Sequence, residues 1–469
     1  MAEKAGWIQR IEQRYAYDYD ISAIPEEAKQ SNWSLTAIWL AWPAQLATII
    51  AGGVIGLGLG LTQGLIAILI GNGILACISI PIGLAARRVG VGTGLMCRFS
   101  FGHRGSWGPS LVGGLVMMGW LMWMMFIGGT AGKLLFTFYL GPGWVVGGFV
   151  IGLIIAGAFG IIPNLFGYAG PKWVAYGTVV FMLGVLIAAI SMGIQSGGGW
   201  GVIDREHITV MPMSMAFAIG LTIGSWINGT IKSGDFTRYC KRASGIFAGP
   251  FLGLWLCNSL VMFAGCVAAN ISEIARSEAL LGQIIVPAMG VGGAFFAITI
   301  AMYWLTTMNT QPPTAYASAL DFANVFWRRK TFLVIPVVII AMALGAMIEY
   351  VAGAASTMAV WLPFVTHVMP TYGGIILAEI WLVNRGRLPA MGDLLEKAKA
   401  FMVNPIAYIS WVAAALINWW TTAQMADPAS GFSYGIPGLN GLVAALLIYW
   451  GLMSLTRQRW IYWKRWIPG

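Results

Sequence analysis

Apolar residues run along this chain in blocks of about twenty, separated by short polar connections, and about twelve such blocks can be drawn. They fall at 34–61, 64–86, 109–138, 143–163, 170–196, 213–232, 244–269, 289–318, 331–350, 352–384, 404–423 and 437–456. A helix of about 20 apolar residues crosses the ~30 Å hydrocarbon layer, so each block reads as one membrane span. The first block carries Trp42-Pro43-Ala44-Gln45 in its middle. Pro43 removes a backbone donor and clashes with the preceding turn, so carbonyls are freed at about mid-depth. Such a break is tolerated where protein or a watery cavity satisfies those groups, and discontinuous spans of this kind mark solute sites.

The sixth block repeats the pattern, with Gly220, Thr222, Gly224, Ser225, Asn228, Gly229 and Thr230 interrupting an apolar run. Two interrupted spans, five helices apart, are what a five-plus-five inverted repeat predicts, with the breaks facing each other across a central site. The expected fold is therefore an all-α polytopic membrane protein, ten helices in the repeat and two beyond it. One transmembrane unit over 34–457 is expected, with cytoplasmic segments at 1–33 and 458–469, because no connection is long enough for a separate domain. Residues 1–32 lack an apolar core, so the first span itself is expected to direct insertion rather than a cleaved leader. Glycine spacings such as Gly148-x-x-x-Gly152 suit close helix packing, and phosphate-loop readings fail because no Lys-Ser/Thr follows.

Composition agrees: 58% of residues are hydrophobic and 9% charged, a balance foreign to soluble domains. The net charge of +10 could suggest nucleic acid, but its placement says otherwise. With the N-terminus inside the cell, every Lys and Arg except Lys133, Arg205 and Arg276 falls on a cytoplasmic segment. That asymmetry sets the orientation, with both termini cytoplasmic in an inner (plasma) membrane, and directs the basic surface at anionic lipid. The five cysteines form no disulfide or metal spacing and read as packing residues. His103, His207 and His367 are too scattered for a relay.

Charge is nearly absent from the spans, where it is costly and survives mainly when functional. Glu349, Glu379, Lys133 and Asp235 are placed near span ends, so no buried carboxylate is expected as a proton relay, and a neutral substrate is favoured. Oxygen ligands for a coupling ion are available in the eighth block. Thr306, Asn309, Thr310 and Thr314 follow i, i+3, i+4 spacing and share a face that could meet carbonyls freed near Pro43. Alternatively these groups bond to their own helix or cap a break at Pro312-Pro313. Trp42, Trp120, Trp123, Trp226 and Trp304 lie in span interiors, where an indole either packs the bundle or offers a flat face to a planar ligand.

These residues resemble the nucleobase:cation symporter-1 transporters. Ser34-Leu35-Thr36-Ala37-Ile38-Trp39-Leu40-Ala41 with Gln45 is similar to the family's first helix, and 98–107 to the loop before its third. Gly224-Ser225-Trp226, Asp235-Phe236 with Arg238, Tyr316-Ala317-Ser318 and Phe322-Ala323-Asn324 match the sixth and eighth helices. The resemblance covers essentially the whole chain. It implies a LeuT-like fold of twelve helices and a substrate held between two aromatic rings, here Trp120 and Trp226, with Gln45 and Ser225 beside them. Trp42, on the broken helix, joins this set. It further implies sodium bound by carbonyls of Ala41 and Ala44 and by eighth-helix oxygens, which the register assigns to Asn309 and Thr310.

Three departures stand out. Asn309 replaces a hydroxyl residue, and Thr306-Thr307 could restore the pair in another register. Met124 replaces a helix-three glutamine of hydantoin-type members. Ala315 replaces their helix-eight asparagine, with Gln311 and Thr314 nearby. The expected function is sodium-coupled import of a small, neutral, planar nitrogen heterocycle. A proton-coupled or uncoupled carrier of the same fold is the nearest rival. A membrane enzyme would need a nucleophile, metal or acid-base cluster near one face, and a channel a continuous polar pore.

Overall fold

The computed structural model describes residues 18–196, 213–271, 293–387, 403–425 and 435–456. The expected tail at 458–469 and the first seventeen residues lie outside the described residues. Everything regular within them is helical. A single parallel bridge joins Gln30 to Cys240.

The first span opens as α1 (Asn32–Ala41), capped by Ser31, whose hydroxyl accepts from the Ser34 N–H at 3.4 Å. It stops where Pro43 requires. Gln45 is extended at φ −126°, ψ 154°, and α2 (Leu46–Val89) begins after it. The second span was expected to be separate, yet α2 carries both. Gly60 alone takes non-helical angles, at φ 74°, ψ −175°, which a residue with a Cβ would resist, and it bends the long helix between the two expected spans.

Next come α3 (Thr93–Phe101), α4 (Trp107–Leu140), α5 (Val145–Ile161), α6 (Ala169–Ser196), α7 (Met215–Ile231), α8 (Gly234–Thr237) and α9 (Ala243–Pro250). A wide π-type turn at Phe251–Asn258 joins α9 to α10 (Ser259–Ile271). The chain closes with α11 (Gly293–Phe326), α12 (Lys330–Met347), α13 (Ala354–Leu377), α14 (Pro405–Met425) and α15 (Leu439–Leu455). Each expected span has its helix. Among the described residues, five helices are long and apolar enough to cross a membrane on those two measures alone.

Two breaks differ from expectation. The sixth span is interrupted at Lys232–Ser233, between α7 and α8, and not at 220–230. There α7 runs unbroken, and the Thr222 and Ser225 hydroxyls donate to carbonyls of their own helix, Ala218 O at 3.0 Å and Thr222 O at 2.7 Å. The eighth span runs straight through Pro312 and Pro313 as α11. Packing against α4 and α6 holds it, and Asn164 Nδ2 donates to the Pro312 carbonyl at 2.9 Å.

The helices sort into two packed groups. In one, α1, α2, α7, α9 and α10 lie together; in the other, α4, α5, α11 and α12. The groups touch each other only sparingly, with α6 packed against members of both, while α13, α14 and α15 form a flank.

Candidate functional site

The break in α1 faces the middle of α11, so the freed backbone of one group meets hydroxyls of the other. Thr310 Oγ1 lies 3.3 Å from the Trp42 carbonyl oxygen and 3.4 Å from that of Ala44. The Ala41 carbonyl accepts from the Ala44 N–H at 3.3 Å, and Gln45 N donates to Pro43 O at 2.8 Å. These oxygens form a hard donor set of the kind a small cation takes. Asn309 is not part of it. Its amide turns to α6, meeting the Thr178 hydroxyl and, through Nδ2, Met182 Sδ at 3.1 Å. The Thr306 side chain lies outside the described residues.

One turn along α11, Thr314 Oγ1 accepts from Trp42 Nε1 at 3.1 Å. The Trp42 ring meets Trp226 edge-on at 5.1 Å between centroids and Phe236 at 5.0 Å. Thus Trp42, Trp226 and Thr314 are brought together across the two groups. Trp120 is buried on α4 with its indole N–H unpartnered, as is that of Trp226, and no ring contact between the two is recorded among the described residues. Ser225, Gln45 and Met124 are buried on α7, at the α1–α2 break and on α4.

Gln311 is the outlier: it is fully buried, and neither its amide oxygen nor its nitrogen has a hydrogen-bond partner. Each unmade bond of that kind costs about 1–3 kcal/mol. Asn228 on α7 is similar, with Nδ2 3.6 Å from Met117 Sδ and Oδ1 unpartnered.

The expectation that no carboxylate is buried is overturned. Asp235 and Asp321 are 0% exposed and Glu379 1%. Lys232, at the break after α7, pairs with Asp321 on α11, which joins the two helix groups. Asp235 Oδ1 accepts from the Thr93 N–H at 2.8 Å, and Arg98 donates to Asn324 Oδ1 through Nε at 2.8 Å and Nη2 at 2.6 Å. Space for the pair comes from Gly113 on α4. A Cβ there would stand 2.5 Å from Asp321 Oδ2 and 2.7 Å from Lys232 Nζ. Glu379 is held by the Tyr449 hydroxyl and Asn384 Nδ2, both at 2.7 Å. A signal existed for the first pair, since opposite charges close the sixth and eighth spans at the same end. Asp321 lies just past the expected end of its span, at 318.

Outside the spans, burial pushes the Asp20 carboxyl up to about 6, with the neighbouring Asp18 charge adding to the rise and Lys330 opposing it.

Comparison with known proteins shows the family. Residues 23–443 match the family described as permease for cytosine/purines, uracil, thiamine, allantoin. The cytosine permease of Escherichia coli (strain K12) is 26% identical over 446 residues, covering 93% of this chain and 94% of that protein. The hydantoin permease of Microbacterium maritypicum is 26% identical, covering 93% and 87%. Among solved structures, Mhp1, a nucleobase-cation-symport-1 family transporter in a closed conformation with bromovinylhydantoin bound, superposes with a TM-score of 0.78. It is 20% identical over 93% of this chain and 95% of that one.

Proposed function

The chain belongs to the permeases for cytosine/purines, uracil, thiamine and allantoin, and from that premise we propose that it imports a small, neutral, planar nitrogen heterocycle by sodium-coupled alternating access. As a member of that family it is a multi-pass membrane transporter and not an enzyme. The observation that carries the substrate class is Gln311, whose buried amide has a free donor and a free acceptor. A heterocyclic amide edge offers the complementary pair, and an ion would satisfy only one half.

Trp226, Trp42 and Trp120 supply flat apolar walls, with Met124 on α4 and Gln45, Ser225 and Thr314 as polar neighbours. Stacking on each ring contributes about 0.5–1.5 kcal/mol beyond area burial. Sodium is taken as co-substrate by the carbonyls around the α1 break, those of Ala41, Trp42 and Ala44, with the Thr310 hydroxyl. One sodium entering down about 100 mV gains roughly 2.3 kcal/mol, and a tenfold gradient adds about 1.4, enough to concentrate a neutral solute several hundredfold. The basic connections support a cytoplasmic location for both termini.

Purified protein melted with nucleobases, hydantoins, allantoin and vitamin precursors, with and without sodium, tests both parts. A flat heterocycle should raise the melting temperature, and more so with sodium. Uptake of that compound undiminished when choline replaces sodium would leave a proton-coupled or uncoupled carrier. Stabilisation by non-planar or charged solutes alone would overturn the substrate class.

A further inference from the structure

Residues 18–30, ahead of α1, are strapped over the end of the bundle that carries the basic connections. Its Asp18 carboxylate accepts from the Tyr239 hydroxyl and from the Tyr316 hydroxyl at 2.9 Å. It also faces Lys330 Nζ at 2.9 Å and Arg238 Nη2 at 3.6 Å. Arg238 and Tyr239 directly follow α8, beyond the break that ends α7 of the first helix group, whereas Tyr316 and Lys330 stand on α11 and α12 of the second. One carboxylate therefore ties the two groups together.

The strap continues along both. Lys330 N donates to Asp20 Oδ2 at 2.8 Å and Arg238 Nη1 to the Tyr19 carbonyl at 2.7 Å. Further on, Ile24 N donates to Gly90 O at 2.9 Å and Gln30 N to Tyr239 O at 2.7 Å. Charge explains the attachment. Around this mouth the helices and their connections bury Arg98, Lys232, Arg238 and Lys330 against Asp235 and Asp321, and Asp18 adds a counter-charge beside Arg238 and Lys330.

We propose that residues 18–30 are a latch that holds this end of the carrier shut and must lift before the two helix groups part there. The proposal rests on the alternating-access reading above. Water makes release feasible: parting the groups hydrates Arg238 and Lys330, and a contact that is strong only while dry weakens as it opens. The Lys232–Asp321 pair bridges the same two groups and parts with it.

Cys97, fully buried on α3 within electrostatic reach of Lys232 and Asp321, is a built-in reporter. In a full-length chain retaining Cys97 as its only cysteine, the rate of labelling by N-ethylmaleimide measures opening at this end. Asp18→Asn should raise that rate roughly tenfold or more, and Asp18→Glu should return it toward the parent rate. A folded Asp18→Asn chain that labels at the parent rate overturns the latch. Should that variant melt below the assay temperature, Lys330→Gln reads the same contact from the second group, and a parent-like rate in it overturns the proposal equally. No substrate or sodium enters this measurement, so failure of the transport reading shows up separately, in uptake.

Discussion

Two regions of this bundle bury polar groups by opposite rules. At mid-depth, around the α1 break, the buried groups are neutral, and several stand without partners: both amide atoms of Gln311, Asn228 Oδ1 and the indole N–H of Trp120 and Trp226. At the basic end the buried groups are ions, and the chain supplies counter-ions itself, in Lys232–Asp321 and in Asp18 with Lys330 and Arg238. An unpaired neutral dipole costs about 1–3 kcal/mol, which a fold can carry until a ligand arrives. An uncompensated buried charge costs more and must be matched within the chain. On the proposed function, the first region would receive a molecule and the second would close behind it.

The largest effect expected from that contrast is at the Lys232–Asp321 pair. Lys232→Met should lower stability by about 3–5 kcal/mol by leaving Asp321 charged and alone, and adding Asp321→Leu should recover most of it. Thermal melting of the three chains checks this. A double variant as unstable as the single one would mean that packing against Gly113 governs the site, and the contrast between the two regions would lose its basis.

At the α1 break the contrast predicts a response to sodium. Thr310→Ala removes a hydroxyl beside the Trp42 and Ala44 carbonyls, one oxygen of the proposed ion site, so sodium-dependent stabilisation should weaken tenfold or more. Asn309→Ala should leave it nearly unchanged, because that side chain is engaged with α6. The opposite ranking would return the ion site to the register first read from the sequence.

Much of this was legible in the chain. Hydropathy located each span because the bilayer fixes helix length, and Pro43 announced the first break by removing a backbone donor, although α11 carries Pro312 and Pro313 without a break. The sixth-span break was misplaced: glycine and hydroxyl residues only permit an interruption, and here the Thr222 and Ser225 hydroxyls are satisfied by carbonyls of the intact α7. Asn309 was assigned by register, but which way a side chain turns depends on a neighbour, Thr178, far away in sequence. The docking of Asp18 was hidden for the same reason, and the partnership of Lys232 with Asp321 showed in the sequence only as opposite charges closing two spans at one end. Residues read as polar loop on their own become buried once another segment covers them.

Gln311→Leu sharpens the comparison from the receiving side. It replaces an unpaired amide with an apolar side chain, so ligand affinity should fall by about 1–3 kcal/mol while the melting temperature without ligand holds or rises. Titration calorimetry and melting on the same preparation separate the two. Equal losses of affinity and stability would make Gln311 a packing residue and move the reading of the ligand edge to Gln45 or Asn228.

The smallest expected effect concerns the closing side, through Asp20. Its carboxyl is raised from an ordinary 3.8 to about 6 when the strap is docked, burial being the main cause and Asp18 the next. A group with a raised value when docked binds its proton more tightly there. Its favourable contribution is therefore fully present below about 3.8 and lost as pH rises through about 6. Between pH 7 and pH 5 the docked strap should gain roughly tenfold in population, about 1.4 kcal/mol. Labelling of a cysteine at Ala23, followed at pH 5, 6 and 7 after correction for thiolate fraction, reads the exposed strap directly. Asp20→Asn should flatten the profile. A profile that keeps its slope in that variant would place the titrating group elsewhere.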